Sequence, residues 1–109
     1  MLSDYPIFEK WYTLLDWILD RVDSFPKSVR STVSDRISNL ALDTLELIIE
    51  MVYTKNKKPK LNFINLNLEK LRIFFRLCKD RRYISISQYE FVSKEVIAVG
   101  LMVGGLLKA

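Results

Sequence analysis

The residues of this chain that are best suited to bind a partner are basic, and they are concentrated in one segment. Ten of its seventeen Lys and Arg residues lie between Lys55 and Arg82, where only Glu69 and Asp80 are acidic. Ten basic and two acidic residues give residues 55–84 a net charge of +8, whereas the whole chain carries +4 and the other residues therefore −4. Clustered Lys and Arg bind polyanions because they displace condensed counterions from phosphates. The segment predicts a nucleic-acid partner, and a solvated helix face with a Lys-rich turn is the alternative.

The basic residues follow a helical pattern. At 100° per residue, Arg72, Arg76 and Lys79 form one narrow stripe on a helix predicted over about 60–81. A Lys-rich turn leads into that helix, and a basic cluster closes its far end, so the ridge would be about 30 Å long. Arg suits bidentate contact with phosphate. The candidate nucleic-acid- or polymerase-binding residues are Arg72, Arg76, Lys79, Arg81, Arg82, Lys55, Lys57, Lys58 and Lys60.

Residues for catalysis are largely missing. The chain has no histidine, which removes the commonest general base and metal ligand and any Ser-His or Cys-His nucleophile. Neither a Gly-rich phosphate loop nor a paired-cysteine zinc motif is present. Asp43, Glu46 and Glu50 share one helix face and could hold Mg²⁺ or Mn²⁺, but they align with other polar residues, which favours a solvated acidic face. We expect no enzyme activity, no cofactor and no metal.

Four segments of the chain have apolar residues at helical spacing. The helices that they predict form the scaffold that positions the basic stripe. Phe25-Pro26 ends the first, and Pro26 can enter the first turn of the second. The capping patterns Ser85…Gln88 and Ser87…Glu90 start the fourth. The predicted helices cover about residues 4–23, 26–54, 60–81 and 85–106. Four such helices joined by short links predict an all-α protein, a single antiparallel up-down-up-down bundle over residues 1–109.

The third helix also predicts self-association. Its apolar residues cover more than half of its circumference, in two arcs: Leu61, Ile64, Leu68, Leu71, Phe75 and Cys78, and then Phe63, Leu66, Ile73, Phe74 and Leu77. A bundle helix needs one apolar face of roughly 100°, so an identical subunit is expected to cover the surplus. On the fourth helix, Gly100 and Gly104 permit close helix approach. Packing inside the bundle is the favoured explanation for them, and a subunit contact is the alternative.

Features of the chain that bear on compartment favour the cytoplasm. The single cysteine, Cys78, lies in an apolar helical pattern, which is typical of a small buried residue in a reducing compartment. The longest uncharged apolar run, Val96 to Leu107, is well short of the ~20 residues that span a bilayer. No stretch near Met1 resembles a signal peptide. We expect a soluble cytoplasmic protein without membrane contact.

Several strings, in order, resemble the accessory variability determinant (Avd) proteins of diversity-generating retroelements. The resemblance covers about residues 5–108, and the order and spacing of the strings make it fairly specific. A neighbouring family, the four-helix-bundle proteins encoded in intervening sequences of ribosomal RNA genes, is similar and ranks second. The strings are Phe25-Pro26-Lys27-Ser28-x-Arg30, Asp35-Arg36-Ile37, Ala41-Leu42-Asp43-x-Leu45-Glu46-Leu47, Leu68-Glu69-Lys70-Leu71-Arg72-x-x-x-Arg76-Leu77, Lys79-Asp80, Ser85-x-Ser87-Gln88-Tyr89-Glu90 and Gly100…Gly104-Gly105.

The Avd resemblance implies a non-catalytic, homopentameric four-helix bundle with a basic surface. It implies binding to the retroelement's reverse transcriptase and template RNA or its cDNA, in the adenine-mutagenic retrohoming that rewrites a variable gene. Of the family's basic face it implies only Arg72 and Arg76; the other candidates rest on charge alone. A rival of another class is a purely structural homo-oligomer, whose basic ridge pairs with the acidic faces of helices one and two in a neighbouring subunit.

Overall fold

Four α-helices make up most of the protein. The computed structural model describes residues 1–109. Its helices are α1 (Pro6–Asp23), α2 (Asp35–Tyr53), α3 (Lys58–Asp80) and α4 (Ile86–Lys108), and it contains no strand. The prediction of an all-α four-helix bundle is therefore confirmed.

The bundle encloses one continuous apolar core. Twenty-three buried hydrophobic residues form a single cluster to which all four helices contribute. Trp11 and Phe75 are the largest fully buried side chains, and burying a large apolar side chain stabilises a fold by about 1.5–3 kcal/mol. Cys78 is also fully buried, as its place in the apolar pattern predicts.

Two buried polar contacts fix α2 against its neighbours. The Trp11 indole Nε1 donates a hydrogen bond to the Ala41 carbonyl at 3.0 Å, which joins α1 to α2. The Asn67 Nδ2 donates to the Thr44 Oγ1 at 3.2 Å, which joins α3 to α2. The Thr44 hydroxyl in turn donates to the Leu40 carbonyl at 2.7 Å. No buried side-chain nitrogen or oxygen lacks a partner, so these contacts satisfy their donors without leaving an unpaired group.

Contacts between α1 and α4 close the bundle. The Lys10 ammonium lies 2.9 Å from the Glu95 carboxylate, and the rings of Trp17 and Phe91 lie 5.0 Å apart. Of these two contacts, the one nearer the start of α1, at Lys10, involves the residue further along α4, Glu95. None of the four helices has the length and hydropathy that a membrane span requires.

The start of the second helix differs from the prediction. Pro26 has an extended backbone (φ −55°, ψ 140°) and precedes a 3₁₀ turn, Lys27–Val29, so it does not enter the α-helix. A π-helical turn, Arg30–Ser34, follows before α2 begins at Asp35. Hydroxyl residues favour such irregular turns because they bond to local carbonyls, as the Thr32 hydroxyl does to the Val29 carbonyl at 3.3 Å.

One of the two capping patterns forms at the start of α4. The Ser85 hydroxyl accepts a hydrogen bond from the Gln88 backbone N–H at 3.1 Å, and the Gln88 side chain accepts one from the Ser85 N–H at 2.9 Å. The Ser87…Glu90 pattern forms no second box because Ser87 already lies in the first helical turn. Its hydroxyl is hydrogen-bonded to that of Ser85 at 3.2 Å.

The glycines of α4 are not required by packing within the chain. A Cβ added at Gly100 would lie 3.9 Å from the Leu68 Cδ1, an ordinary contact distance, and one added at Gly104 or Gly105 would meet nothing within 4 Å. The favoured explanation from the sequence, tight packing inside the bundle, is therefore wrong for these positions.

Candidate nucleic-acid interface

The middle of α3 places two arginines at the surface. Arg76 is exposed and has no carboxylate within ion-pair distance. Arg72 is exposed as well, and its Nη1 lies 2.9 Å from the Glu69 carboxylate one turn earlier. Exposed ion pairs of this kind contribute only about 0–1 kcal/mol. A phosphate can therefore compete with Glu69 for Arg72 at small cost.

The C-terminal end of α3 holds Arg82 in an unusual backbone conformation. Its φ of 62° lies in the left-handed region, and no other non-glycine residue has a positive φ. The Tyr83 N–H donates to the Cys78 carbonyl at 2.8 Å and the Arg82 N–H to the Lys79 carbonyl at 3.0 Å. This pair of bonds is the Schellman motif, whose left-handed position is usually glycine. An arginine there costs about 1 kcal/mol relative to glycine, and such strain is commonly tolerated at functional sites.

Arg81 is held over an aromatic ring beside Arg82. Its guanidinium lies 6.0 Å from the centre of the Tyr83 ring, and its Nε donates to the Tyr83 hydroxyl at 3.4 Å. That hydrogen bond raises the pKa of Arg81 further above its ordinary value, so the group is always charged. Because the Tyr83 ring also packs against Phe25 at 5.6 Å, Tyr83 anchors the turn and is not a free platform for a nucleic-acid base.

The Phe25–Tyr83 contact adds residues that charge counting along α3 missed. It brings the connection between α1 and α2, which carries Lys27 and Arg30, to the end of the bundle where Arg82 lies. Both residues are exposed. The signal available in the sequence was their place in the Phe25–Arg30 string of the Avd resemblance.

Lys79 is more constrained than its place in the stripe predicts. Its ammonium lies 4.7 Å above the Tyr89 ring of α4 and 3.5 Å from the Asp80 carboxylate. The side chain is half-buried between α3 and α4. It therefore contributes positive charge near the stripe with little freedom to reorient.

Lys57, at the other end of α3, has an internal role. Its ammonium donates three hydrogen bonds to backbone carbonyls at the end of α2, those of Met51, Val52 and Thr54, at 2.9, 3.0 and 2.8 Å. It also lies 5.7 Å from the centre of the Tyr5 ring. The last carbonyls of a helix have no partner within the helix and carry partial negative charge. Lys57 caps α2, and all three of its donors are used.

Of the remaining lysines near this turn, two form no ion pair and one does. Lys55 and Lys58 are exposed, and neither forms an ion pair. Lys60 lies 2.8 Å from the Glu50 carboxylate of α2. Lys55, Lys57 and Lys58 line an open cavity of about 470 Å³ together with Tyr5 and residues at the end of α4.

Of the three acidic residues that share a face of α2, only Glu50 forms an ion pair. Glu50 pairs with Lys60, and Asp43 lies in an open groove of about 480 Å³ that Arg36 and Lys70 also line. No group of three or more acidic or cysteine side chains is arranged to hold a metal ion. The structure therefore does not bring Asp43, Glu46 and Glu50 together as a set of metal ligands.

Comparison with protein families gives a match over almost the whole chain. The family model described as bAvd-like matches residues 6–109. The chain belongs to the bAvd-like family. The Avd resemblance seen in the ordered strings between Phe25 and Gly105 is thereby confirmed. No curated protein and no solved structure matches the chain significantly.

Proposed function

We propose that this bAvd-like protein is a non-catalytic accessory protein of a diversity-generating retroelement. It self-associates, as the Avd resemblance implies for a homopentamer, and it binds template RNA or an RNA/DNA intermediate together with the reverse transcriptase. This role belongs to the cytoplasm. Family membership supports the accessory role, and the observation that carries nucleic-acid binding is the set of unpaired basic side chains along α3.

Those unpaired side chains span the length of the molecule. Arg76, Arg81, Arg82, Lys55 and Lys58 are exposed and form no ion pair. They follow α3 from the turn before it to the turn after it, a distance of about 34 Å for 23 residues. Arg72 joins them once its weak pair with Glu69 opens. Lys57 is excluded because its donors are occupied inside the protein.

The arrangement suits recognition of a phosphate backbone. The free groups follow a line along one helix and present no element shaped for reading base edges in the major groove. Each phosphate contact releases counterions, so affinity is expected to fall steeply with salt. In a closed assembly the same surface is repeated on each subunit, and linked weak sites bind one long polymer more tightly than any single site.

The bundle that presents this surface is, in our proposal, antiparallel. The late α2 residue Glu50 meets the early α3 residue Lys60, and Thr44 meets Asn67. Between α1 and α4, Lys10 meets Glu95, whereas the later α1 residue Trp17 meets the earlier α4 residue Phe91. These contacts support the up-down-up-down connection that short links favour.

Charge reversal along α3 tests nucleic-acid binding. Arg76→Glu with Arg82→Glu is compared with Arg36→Glu and Lys94→Glu, which changes the net charge by the same amount on α2 and α4. The affinity for a labelled single-stranded RNA is measured at two salt concentrations. We expect the α3 variant to lose at least about tenfold in affinity and one to two units of the log–log salt slope. The control variant should lose much less.

Two results would contradict the proposal. An equal loss in both variants would show that net charge alone, and not the α3 surface, governs binding. Absence of RNA binding by the unaltered protein at low salt would remove the nucleic-acid role and leave the purely structural oligomer. Co-purification with the retroelement's reverse transcriptase, compared between the unaltered protein and both variants, tests the second partner separately.

A further inference from the structure

One side of α3 exposes an apolar surface that nothing in the chain covers. Its members, which we call the α3 stripe, are Phe63, Leu66, Ile73 and Leu77, exposed by 57, 50, 57 and 43%. Leu66, Ile73 and Leu77 line a shallow cavity of about 330 Å³, whose wall is completed by Phe74 and the stems of Glu69 and Lys70. A cavity lined in this way is shaped to receive apolar side chains from another surface.

A second uncovered apolar surface lies where α1 and α2 meet. Its members, which we call the α1–α2 face, are Tyr12 and Leu42, exposed by 57 and 40%. The hydrogen bond from Trp11 to Ala41 joins the two helices at this level. Tyr12 and Leu42 are the next residues of each helix, and the 100° step of an α-helix turns both toward the outer side of the groove between α1 and α2.

The two surfaces carry opposite charge. Helix α1 has four acidic and two basic side chains, α2 has four acidic and one basic, and α3 has six basic and two acidic. The acidic residues Asp16 and Glu46 follow Tyr12 and Leu42 by one turn, whereas the basic residue Lys70 lies one turn before Ile73. Apolar centres with oppositely charged rims fit one another, while two α3 stripes packed together would place their basic rims in one interface.

We propose that the α3 stripe of one copy of this chain packs on the α1–α2 face of the next copy. The inference rests on the proposed self-association and specifies the two surfaces that meet. Because they are different surfaces of one chain, the contact is head-to-tail, and repeated head-to-tail contacts close into a ring with cyclic symmetry. In a closed ring, the α3 stripe and the α1–α2 face of every subunit are covered by neighbouring subunits.

Two complementary variants test this arrangement. Ile73→Glu places a negative charge in the α3 stripe, and Leu42→Arg places a positive charge in the α1–α2 face. Both residues are exposed in the single chain, so each variant should fold. Circular dichroism of the helices and thermal unfolding check that it does. Sedimentation velocity should show an oligomer for the unaltered protein and a monomer for each variant. An equimolar mixture of the two variants should assemble at least to a heterodimer, since the intact stripe of Leu42→Arg can meet the intact face of Ile73→Glu, whereas neither variant assembles alone.

The possible failures are distinguishable. A monomeric unaltered protein would refute the proposed self-association itself. If the unaltered protein is oligomeric and Leu42→Arg assembles equally well, the α3 stripe meets some other surface and the head-to-tail contact proposed here is wrong. Leu101→Glu is the matched control, because Leu101 is a 74% exposed apolar residue on α4. It should leave assembly unchanged, and loss of the oligomer in this variant alone would place the contact on α4.

Discussion

Substitution of Lys57 can distinguish a structural role of the basic turn before α3 from a phosphate-binding role. Replacing it with methionine removes the ammonium and keeps most of the apolar stem. The ammonium donates to three carbonyls at the end of α2. We therefore expect Lys57→Met to destabilise the fold while leaving the affinity for RNA nearly unchanged.

The expected loss of stability follows from the geometry of that cap. A hydrogen bond involving a charged group contributes about 1.5–3 kcal/mol, and a cation at a helix C-terminus up to about 2 kcal/mol when partly buried. These contributions overlap, and water can reach part of the site because Lys57 is only half-buried. We expect the free energy of unfolding to fall by about 2 kcal/mol. For a chain of this size that corresponds to a decrease of about 8 °C in Tm.

Lys55→Met is the matched control, because it removes the same charge two residues earlier from an exposed side chain without partners. Both variants are unfolded thermally at one protein concentration, since any self-association stabilises the folded state. Lys55→Met should change the free energy of unfolding by less than about 0.5 kcal/mol and should weaken RNA binding modestly. The reasoning would be refuted if Lys57→Met left stability unchanged and weakened RNA binding more than Lys55→Met.

Two further residues allow direct tests. Arg82→Gly should raise the free energy of unfolding by about 0.5–1 kcal/mol, because glycine adopts the left-handed conformation without strain, and it should weaken RNA binding; urea unfolding that shows no gain would mean that Arg82 carries no strain. Burial raises the pKa of the Cys78 thiol to about 12, so less reactive thiolate is present at any pH below that value than for an exposed cysteine. A thiol reagent at pH 8 should label Cys78 only after unfolding, and rapid labelling of the folded protein would contradict its burial.

The helices could be predicted because their information is local. Apolar residues at spacings of three and four, as at Trp11, Leu15 and Ile18, mark the buried side of a helix wherever it packs. The π-helical turn at Arg30–Ser34 could not be predicted from apolar spacing, and the connection that carries it contacts Tyr83, far along the chain, through Phe25. Propensity alone favours an earlier start of α2.

The candidate site could be predicted in outline and not in detail. Charge counting located the basic surface on α3, and periodicity placed Arg72 and Arg76 together. The same counting grouped Lys57 with its neighbours, because a sequence does not show which ammonium turns inward to cap α2. It likewise separated Lys27 and Arg30 from Arg82, which the fold brings to one end through a contact between residues 58 positions apart.

The two tryptophans give the protein a built-in optical reporter. Trp11 is completely buried and hydrogen-bonded to the Ala41 carbonyl, and Trp17 is partly buried against Phe91 between α1 and α4. Neither side chain belongs to the α3 stripe or the α1–α2 face. Their fluorescence therefore follows the integrity of each subunit's core, so that unfolding of a variant can be told apart from dissociation of subunits in the same sample without any added dye.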